Sequence, residues 1–231
     1  MDKKIKILIG IPTASPFLHR KFVQSLMGLI YPPNCDADIN VVEGYQIPFA
    51  RNRIVQHALE SNSDYVFFID ADMVFPADTL IRLWRHDVPM ANALAFRRTS
   101  PNYPCIFEWK EKEKCYETMS YTKGLLEVDA TGMASHLIKT EVFRKMRQPW
   151  YYYRNNQFSS DLTFCENAKK LGYKILIDTD LKIGHLGDQN VITEEYYLRH
   201  LDPEAKEKWN AGLKEYIKSH KADFKENSPI K

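Results

Sequence analysis

Two aspartates one residue apart, directly after an apolar run, are the strongest chemical signal in this chain. Residues 65–69 read YVFFI, and Asp70-Ala71-Asp72 follow at once. In open α/β sheets, ligands bind beyond the carboxyl ends of strands. Close carboxylates in a dry site raise each other's pKa unless a cation sits between them. A hard divalent ion, Mn²⁺ or Mg²⁺, satisfies both and can also hold a diphosphate. The alternative is a capped, solvated strand–helix turn, which accounts readily for one aspartate but less well for two.

Four further signals accompany the pair. Arg51 and Arg53 fall in the first turn of a predicted helix over 48–59. Cations there oppose the helix dipole by roughly 0.3–1 kcal/mol each, and an anionic ligand above the helix end would reverse that sign. Of the two, Arg51 is the ligand-facing choice and Arg53 the structural one. His185, in IGHLGD, is a lone histidine that gains meaning only if the sheet brings it to Asp72. Asp161 opens a helix, where capping and dipole compensation explain it better than a general-base role does. Gly132-Met133 permits close backbone approach to a ligand. The aromatic stretch 150–153, with Trp150, offers either sugar stacking or ordinary packing.

These residues need elements to position them. Apolar runs at 5–11, 38–43, 65–69 and 88–96 read as strands, and helices are expected from residue 16, over 48–59 and over 79–85. Such alternation predicts an α/β fold with a mainly parallel central sheet flanked by helices. Beyond residue 100 the pattern changes to a small antiparallel addition. A hairpin joins 105–109 to 114–117, and a strand follows at 125–129. A helix over 140–146, a loop over 147–159, a helix over 161–171 and strands at 174–178 and 181–185 complete the series. Asp202-Pro203 reads as a cap and first helical residue, with Ala205, Trp209, Leu213, Tyr216 and Ile217 on one face. The expected organisation is a single domain over 1–201, with a helix and charged tail over 202–231.

Composition removes several function classes. The 32 basic and 30 acidic residues leave a formal charge of +2, too balanced for a partner of bulk nucleic acid. None of the nine glycines forms a GxGxxG or GxxxxGK[ST] loop, so phosphate must be handled by another device. The four cysteines form no CxxC pair, which points to reduced thiols and a cytoplasmic location. No apolar run approaches the ~20 residues of a membrane span, and the N-terminus does not read as a signal peptide.

Taken together, these motifs resemble the GT-A glycosyltransferases, specifically small family-2-like members, over residues 5–187. The resemblance lies in the order of the pieces. A first strand ends IPT, Glu43 follows the second, ARN stands on the next helix, and Asp70-Ala71-Asp72 is a DxD motif. VDATGM, an aspartate opening a late helix and a late histidine follow. Related sequences often carry Glu-Asp at that helix start; here it is Ser160-Asp161. The resemblance implies that Pro12, Thr13 and Glu43 line the base and ribose pocket, with Arg51, Asp70, Ala71 and Asp72 also on the nucleotide. Asp72 and His185 would ligate Mn²⁺ or Mg²⁺, with Asp70 at its water shell. Gly132, Met133 and Trp150 would face the sugars, and Asp161 would be the base of an inverting transfer. The implied donor is a nucleoside-diphosphate sugar, UDP-linked before GDP-linked. The acceptor would be a hydroxyl, and nucleic acid enters only if a hydroxylated base carries it. Two rivals are a haloacid-dehalogenase-type phosphatase with Asp70 as nucleophile and a sugar-nucleotide-binding protein without catalysis.

Overall fold

Seven strands form the central sheet of the computed structural model, which describes residues 4–44, 46–154, 159–187, 190–201 and scattered positions between 203 and 214. The strands of the first half are β1 (Ile5–Thr13), β2 (Cys35–Glu43), β3 (Tyr65–Ile69), β4 (Met73–Val74) and β5 (Met90–Leu94). Then come β6 (Ile106–Lys110), β7 (Cys115–Thr118), β8 (Leu125–Val128), β9 (Ala130–Thr131) and β10 (Ser135–Lys139). The last three are β11 (Ile175–Lys182), β12 (Gly184–Leu186) and β13 (Val191–Ile192). The helices are α1 (Arg20–Met27), α2 (Ile47–Glu60), α3 (Thr79–Arg85), α4 (Thr140–Lys145), α5 (Ser160–Lys170) and α6 (Glu194–His200).

The sheet order is β2-β1-β3-β10-β5-β11-β8. β2, β1 and β3 pair in parallel, as do β5 and β11, while β10 and β8 run against their neighbours. The fold is therefore mixed α/β with a mainly parallel sheet, as expected from the alternating pattern. Two three-stranded additions, β13-β12-β4 and β7-β6-β9, are antiparallel.

Period-2 alternation divides the core. On β3, Val66 and Phe68 join one apolar cluster with α2, α4 and α5, while Phe67 and Ile69 join the other with α1 and α3. Both phenylalanines are fully buried, and each contributes roughly 1.5–3 kcal/mol of hydrophobic stabilisation. Gly10 lets α2 lie close on β1, since a Cβ there would meet the stiff, β-branched Ile54 at 2.4 Å. The two elements that carry the sheet end and Arg51 are thereby held at a fixed distance.

Several features differ from the sequence reading, among them the unexpected helix α6 and the short strands β4, β9 and β13. β10 has only two aliphatic residues in SHLIK, so no apolar run announces it, yet it sits in the middle of the sheet. The strands expected at 174–178 and 181–185 are one strand, β11, with a register shift between Asp178 and Lys182, followed by the short β12. Asp178 holds that irregularity. Its carboxylate accepts from the Asp180 and Leu181 amides (3.1 Å each), from Arg82 and from the His86 ring. Helix α1 starts only at Arg20, capped by His19 Nδ1, which accepts from the Lys21 amide at 3.2 Å.

The described positions between 203 and 214 are helical. Asp202, Ala205, Trp209, Leu213, Tyr216 and Ile217 lie outside the described residues. All four cysteines are free, and among the described residues no helix is long and apolar enough to cross a membrane.

Candidate active site

The carboxyl ends of β1, β2 and β3 lie along one edge of the sheet, and Arg51, Asp70, Asp161 and the Met133 amide meet there. Asp70 follows β3, and its amide donates to the Ala134 carbonyl at 3.1 Å, which fixes the strand exit. Arg51, the fifth residue of α2, opens its second turn and is 3% exposed. Its Nη2 donates to both oxygens of Asp70 (3.1 and 3.3 Å), and its Nη1 donates to Asp161 Oδ1. The anion that offsets this cation at a helix start is thus supplied by the protein itself. Expected on the nucleotide, Arg51 instead bridges two carboxylates.

Asp161 does not cap α5. Ser159 takes that role, its Oγ accepting from the Leu162 amide at 3.3 Å. The Asp161 carboxylate is left free to turn inward. Ser160 Oγ donates to Oδ1 at 3.2 Å, and the Met133 amide donates to Oδ2 at 3.2 Å. About a fifth of the Asp161 side chain, 21%, remains open to solvent. Gly132 lies against the same oxygen, where even a Cβ would stand 3.9 Å away.

The Asp72 side is built differently. β4 pairs with β12 so that Met73 stands opposite His185, and the Leu186 amide donates to the Asp72 carbonyl at 2.8 Å. This small sheet places His185 Nε2 3.0 Å from Asp72 Oδ2. The other ring nitrogen, Nδ1, faces the Phe96 carbonyl at 3.0 Å. A carbonyl only accepts, so Nδ1 carries hydrogen, and a neutral ring then points its Nε2 lone pair at the carboxylate. Two acceptors so close need a proton or a metal ion between them. A backbone carbonyl behind the ring is also the usual arrangement for a metal-ligating histidine. Arg98, with 55% of its side chain exposed, adds a looser contact to Asp72 at 3.4 Å.

Electrostatics separate the two aspartates. Burial pushes Asp70 up to about 6, with Asp161 and Asp72 reinforcing that rise against the pull of Arg51. Burial also acts on Asp72, but the His185 hydrogen bond and the His185 and Arg98 charges outweigh it and hold Asp72 below the ordinary carboxylate range. Burial disfavours the charged His185 ring, yet its Asp72 bond prevails and raises it above the usual imidazole value. Cys105, beside Gly132, is pushed up to about 12 by burial, which keeps its thiol protonated and unreactive.

A two-residue metal site is what these side chains can offer. Among the described residues no group of three or more His, Cys, Asp or Glu side chains is placed to hold a metal. Asp70, expected near the metal, has both oxygens on Arg51 instead. One carboxylate and one imidazole, completed by phosphate oxygens and water, suit a Mg²⁺ or Mn²⁺ that travels with a diphosphate. The same Arg51 contacts count against Asp70 as an open phosphatase nucleophile.

Other expected residues fall into place or out of it. Pro12 and Thr13 end β1 and are buried; Glu43 ends β2, pairs in register with Thr13 and is exposed. All three share the edge with Asp70, one and two strands away. Ala71 is half-buried between the aspartates. Arg53 is exposed, with its guanidinium 5.8 Å from the Phe49 ring. Trp150 does not face the site. It is 4% exposed, packs edge-on against Phe143 and donates its indole N–H to the Phe143 carbonyl at 2.9 Å. The Met133 side chain is likewise fully buried, so only its backbone reaches Asp161.

Asn52 was legible only as the last residue of ARN, yet it ties the site to the 150–151 turn. Its Nδ2 donates to the Pro48 and Tyr151 carbonyls (2.8 and 2.7 Å), and its Oδ1 accepts from the Trp150 and Tyr151 amides (3.0 and 3.1 Å). Tyr151, so fixed, presents its ring 5.8 Å from the Arg51 guanidinium and stacks on Phe164.

The fold is shared with a solved structure. A197 from STIV superposes with a TM-score of 0.62 at 15% identity, over 83% of this chain and 91% of that one. At that identity the likeness establishes the fold. Two S. aureus TarS structures score lower. The 1–349 fragment in complex with UDP gives 0.47 at 12% identity, over 81% of this chain and 59% of that one. The other gives 0.45 at 13% identity, over 81% of this chain and 36% of that one. Both fall below 0.5, so the shared fold rests on A197. No protein-family model matches the sequence, and no curated protein matches it.

A separate hollow of about 540 Å³ opens at the opposite end of the sheet, among Lys4, Asp64, Lys139 and Arg144. Lys4 pairs there with Asp36, and Lys139 with Asp87. The Asp72–His185 pair lies at the other end of the sheet.

Proposed function

We propose that the chain is a glycosyltransferase, moving a sugar from a nucleoside-diphosphate sugar, a UDP-sugar foremost, to a hydroxyl acceptor with inversion. The observation that supports this most is the Asp72–His185 pair, with Nδ1 committed to Phe96 and Nε2 facing the carboxylate at 3.0 Å. Asp72 and His185 would hold Mn²⁺ or Mg²⁺, which when bound supplies positive charge to the diphosphate leaving group. The chain's own residues do the rest. Pro12, Thr13 and Glu43 flank the nucleoside. Arg51, Ser160 and the Met133 amide aim the Asp161 carboxylate. Asp161 takes the proton of the acceptor hydroxyl, whose oxygen attacks the anomeric carbon as the bond to the diphosphate breaks on the far face.

Titration calorimetry with UDP, with and without Mn²⁺, followed by turnover of a UDP-sugar panel, tests the reading. Metal-dependent UDP binding is expected. Asp161→Asn is expected to lower kcat by about 10²–10⁴-fold with UDP affinity unchanged. Absence of metal-dependent nucleotide binding would overturn the proposal. Loss of UDP binding in Asp161→Asn would reduce Asp161 to a structural residue.

A further inference from the structure

We infer that Asn92 is a positioning residue for Asp161, acting through the Gly132–Met133 peptide. The inference rests on the proposed role of Asp161 as base.

Asn92 stands in the middle of β5, in the run MANAL, and is 2% exposed. Its register partner on β10 is His136, itself fully buried. An amide at such a place costs stability unless its polar atoms are engaged. Asn92 Nδ2 donates to the Gly132 carbonyl at 2.6 Å and, more weakly, to Thr131 Oγ1 at 3.3 Å. Turning the amide over would set its oxygen against the Gly132 oxygen, so the nitrogen must face that way. Asn92 Oδ1, by contrast, is buried without a hydrogen-bond partner among the described residues. The side chain therefore sustains one unpaired atom in order to present its N–H₂ end to residue 132.

The Gly132 carbonyl and the Met133 N–H are the two ends of one planar peptide group. Holding the carbonyl fixes the plane, and so the direction in which the N–H points. That N–H donates to Asp161 Oδ2 at 3.2 Å. A donor on the carbonyl also polarises the amide and strengthens the N–H at its other end. A chain of two hydrogen bonds thus runs from the sheet interior to the oxygen of Asp161 that Arg51 does not hold. Arg51 and Ser160 orient Oδ1; Asn92, through the peptide, orients Oδ2.

Two variants of similar size test this. Asn92→Leu removes the donor, and Asn92→Asp replaces it with an acceptor. With wild-type transfer established, both are expected to lose on the order of 10–100-fold in kcat while the KM for the donor sugar nucleotide is unchanged. In ¹⁵N-methionine-labelled protein, the Met133 amide proton is expected to move upfield in both. Asp161→Asn should move the same resonance, since it alters the acceptor. Asn92→Ser, which keeps a shorter donor, should recover part of the kcat. A folded Asn92→Leu with wild-type kcat, or a kcat loss with the Met133 resonance unmoved, would overturn the inference. If only one of Leu and Asp folds, that one decides by the same two readouts. If the wild type transfers no sugar, the reading of Asp161 as base fails by itself; the Met133 resonance in the Asn92 and Asp161 variants then still decides whether the two residues are linked.

Discussion

Two acidic groups share one edge of the sheet and are held in opposite ways. Asp70 and Asp161 are joined by Arg51, whose side chain is 4% exposed. Asp72, with 40% of its side chain exposed, is joined by a half-buried imidazole and by an arginine that is largely in solvent. The first group is neutralised from within and behaves as part of the scaffold. The second is met by partners that can exchange for an incoming cation. Identical residue types two positions apart thus differ in setting: Asp70 is fixed on the buried Arg51, while Asp72 lies half-open beside partners that, on the proposed reading, give way to a cation.

The largest way to break this contrast is at Asp72. Asp72→Asn is expected to abolish metal-dependent turnover of a UDP-sugar while the circular dichroism spectrum and melting behaviour stay native; full activity would remove Asp72 from the site. Arg51→Met should act on the other side, costing about 3–5 kcal/mol in urea unfolding, because two half-buried carboxylates lose their shared partner. Burial, reinforced by Asp161, makes stability depend on the protonation of Asp70. Asp70 is held up to about 6 when folded, against 3.8 unfolded, so the folded state binds more protons over that window. Its contribution is full below about 3.8 and declines as pH rises through about 6. Asp70→Asn removes that decline, so its stability relative to wild type should climb by up to about 1.4 kcal/mol per pH unit across the window, followed by urea midpoints. The smallest effect belongs to Arg98→Ala. An exposed contact at 3.4 Å should cost under about 1 kcal/mol in the same unfolding assay.

Much of the architecture was readable because strand and helix periods were clean. β3 and α3 occur at the expected residues, and the 105–117 hairpin forms with a one-residue shift. β10 was not readable, since Ser135 and His136 break the apolar pattern that marks a buried strand. At the site, Asp70, Asp72, Asp161 and His185 were visible as chemistry-bearing types at strand or helix ends. What residue types could not show was pairing. Nothing in RNR says that Arg51 turns inward to two aspartates, nor that Trp150 turns into the core while Tyr153 stays out. Those outcomes depend on contacts between residues a hundred positions apart, such as Asn52 with Trp150 and Tyr151. Asn92 was missed for the same reason, as a polar letter inside a run that reads as plain core.

The place of β10 also bears on how the chain reaches this state during synthesis. β3, at residues 65–69, has β1 on one side and β10 on the other, and β10 is supplied only by residues 135–139. A nascent chain that ends before residue 135 carries an open, wholly apolar edge at YVFFI, the kind of edge that invites pairing between molecules. The strand that carries Asp70 is therefore sealed late, and a truncated product is the form of this protein most exposed to aggregation on or off the ribosome.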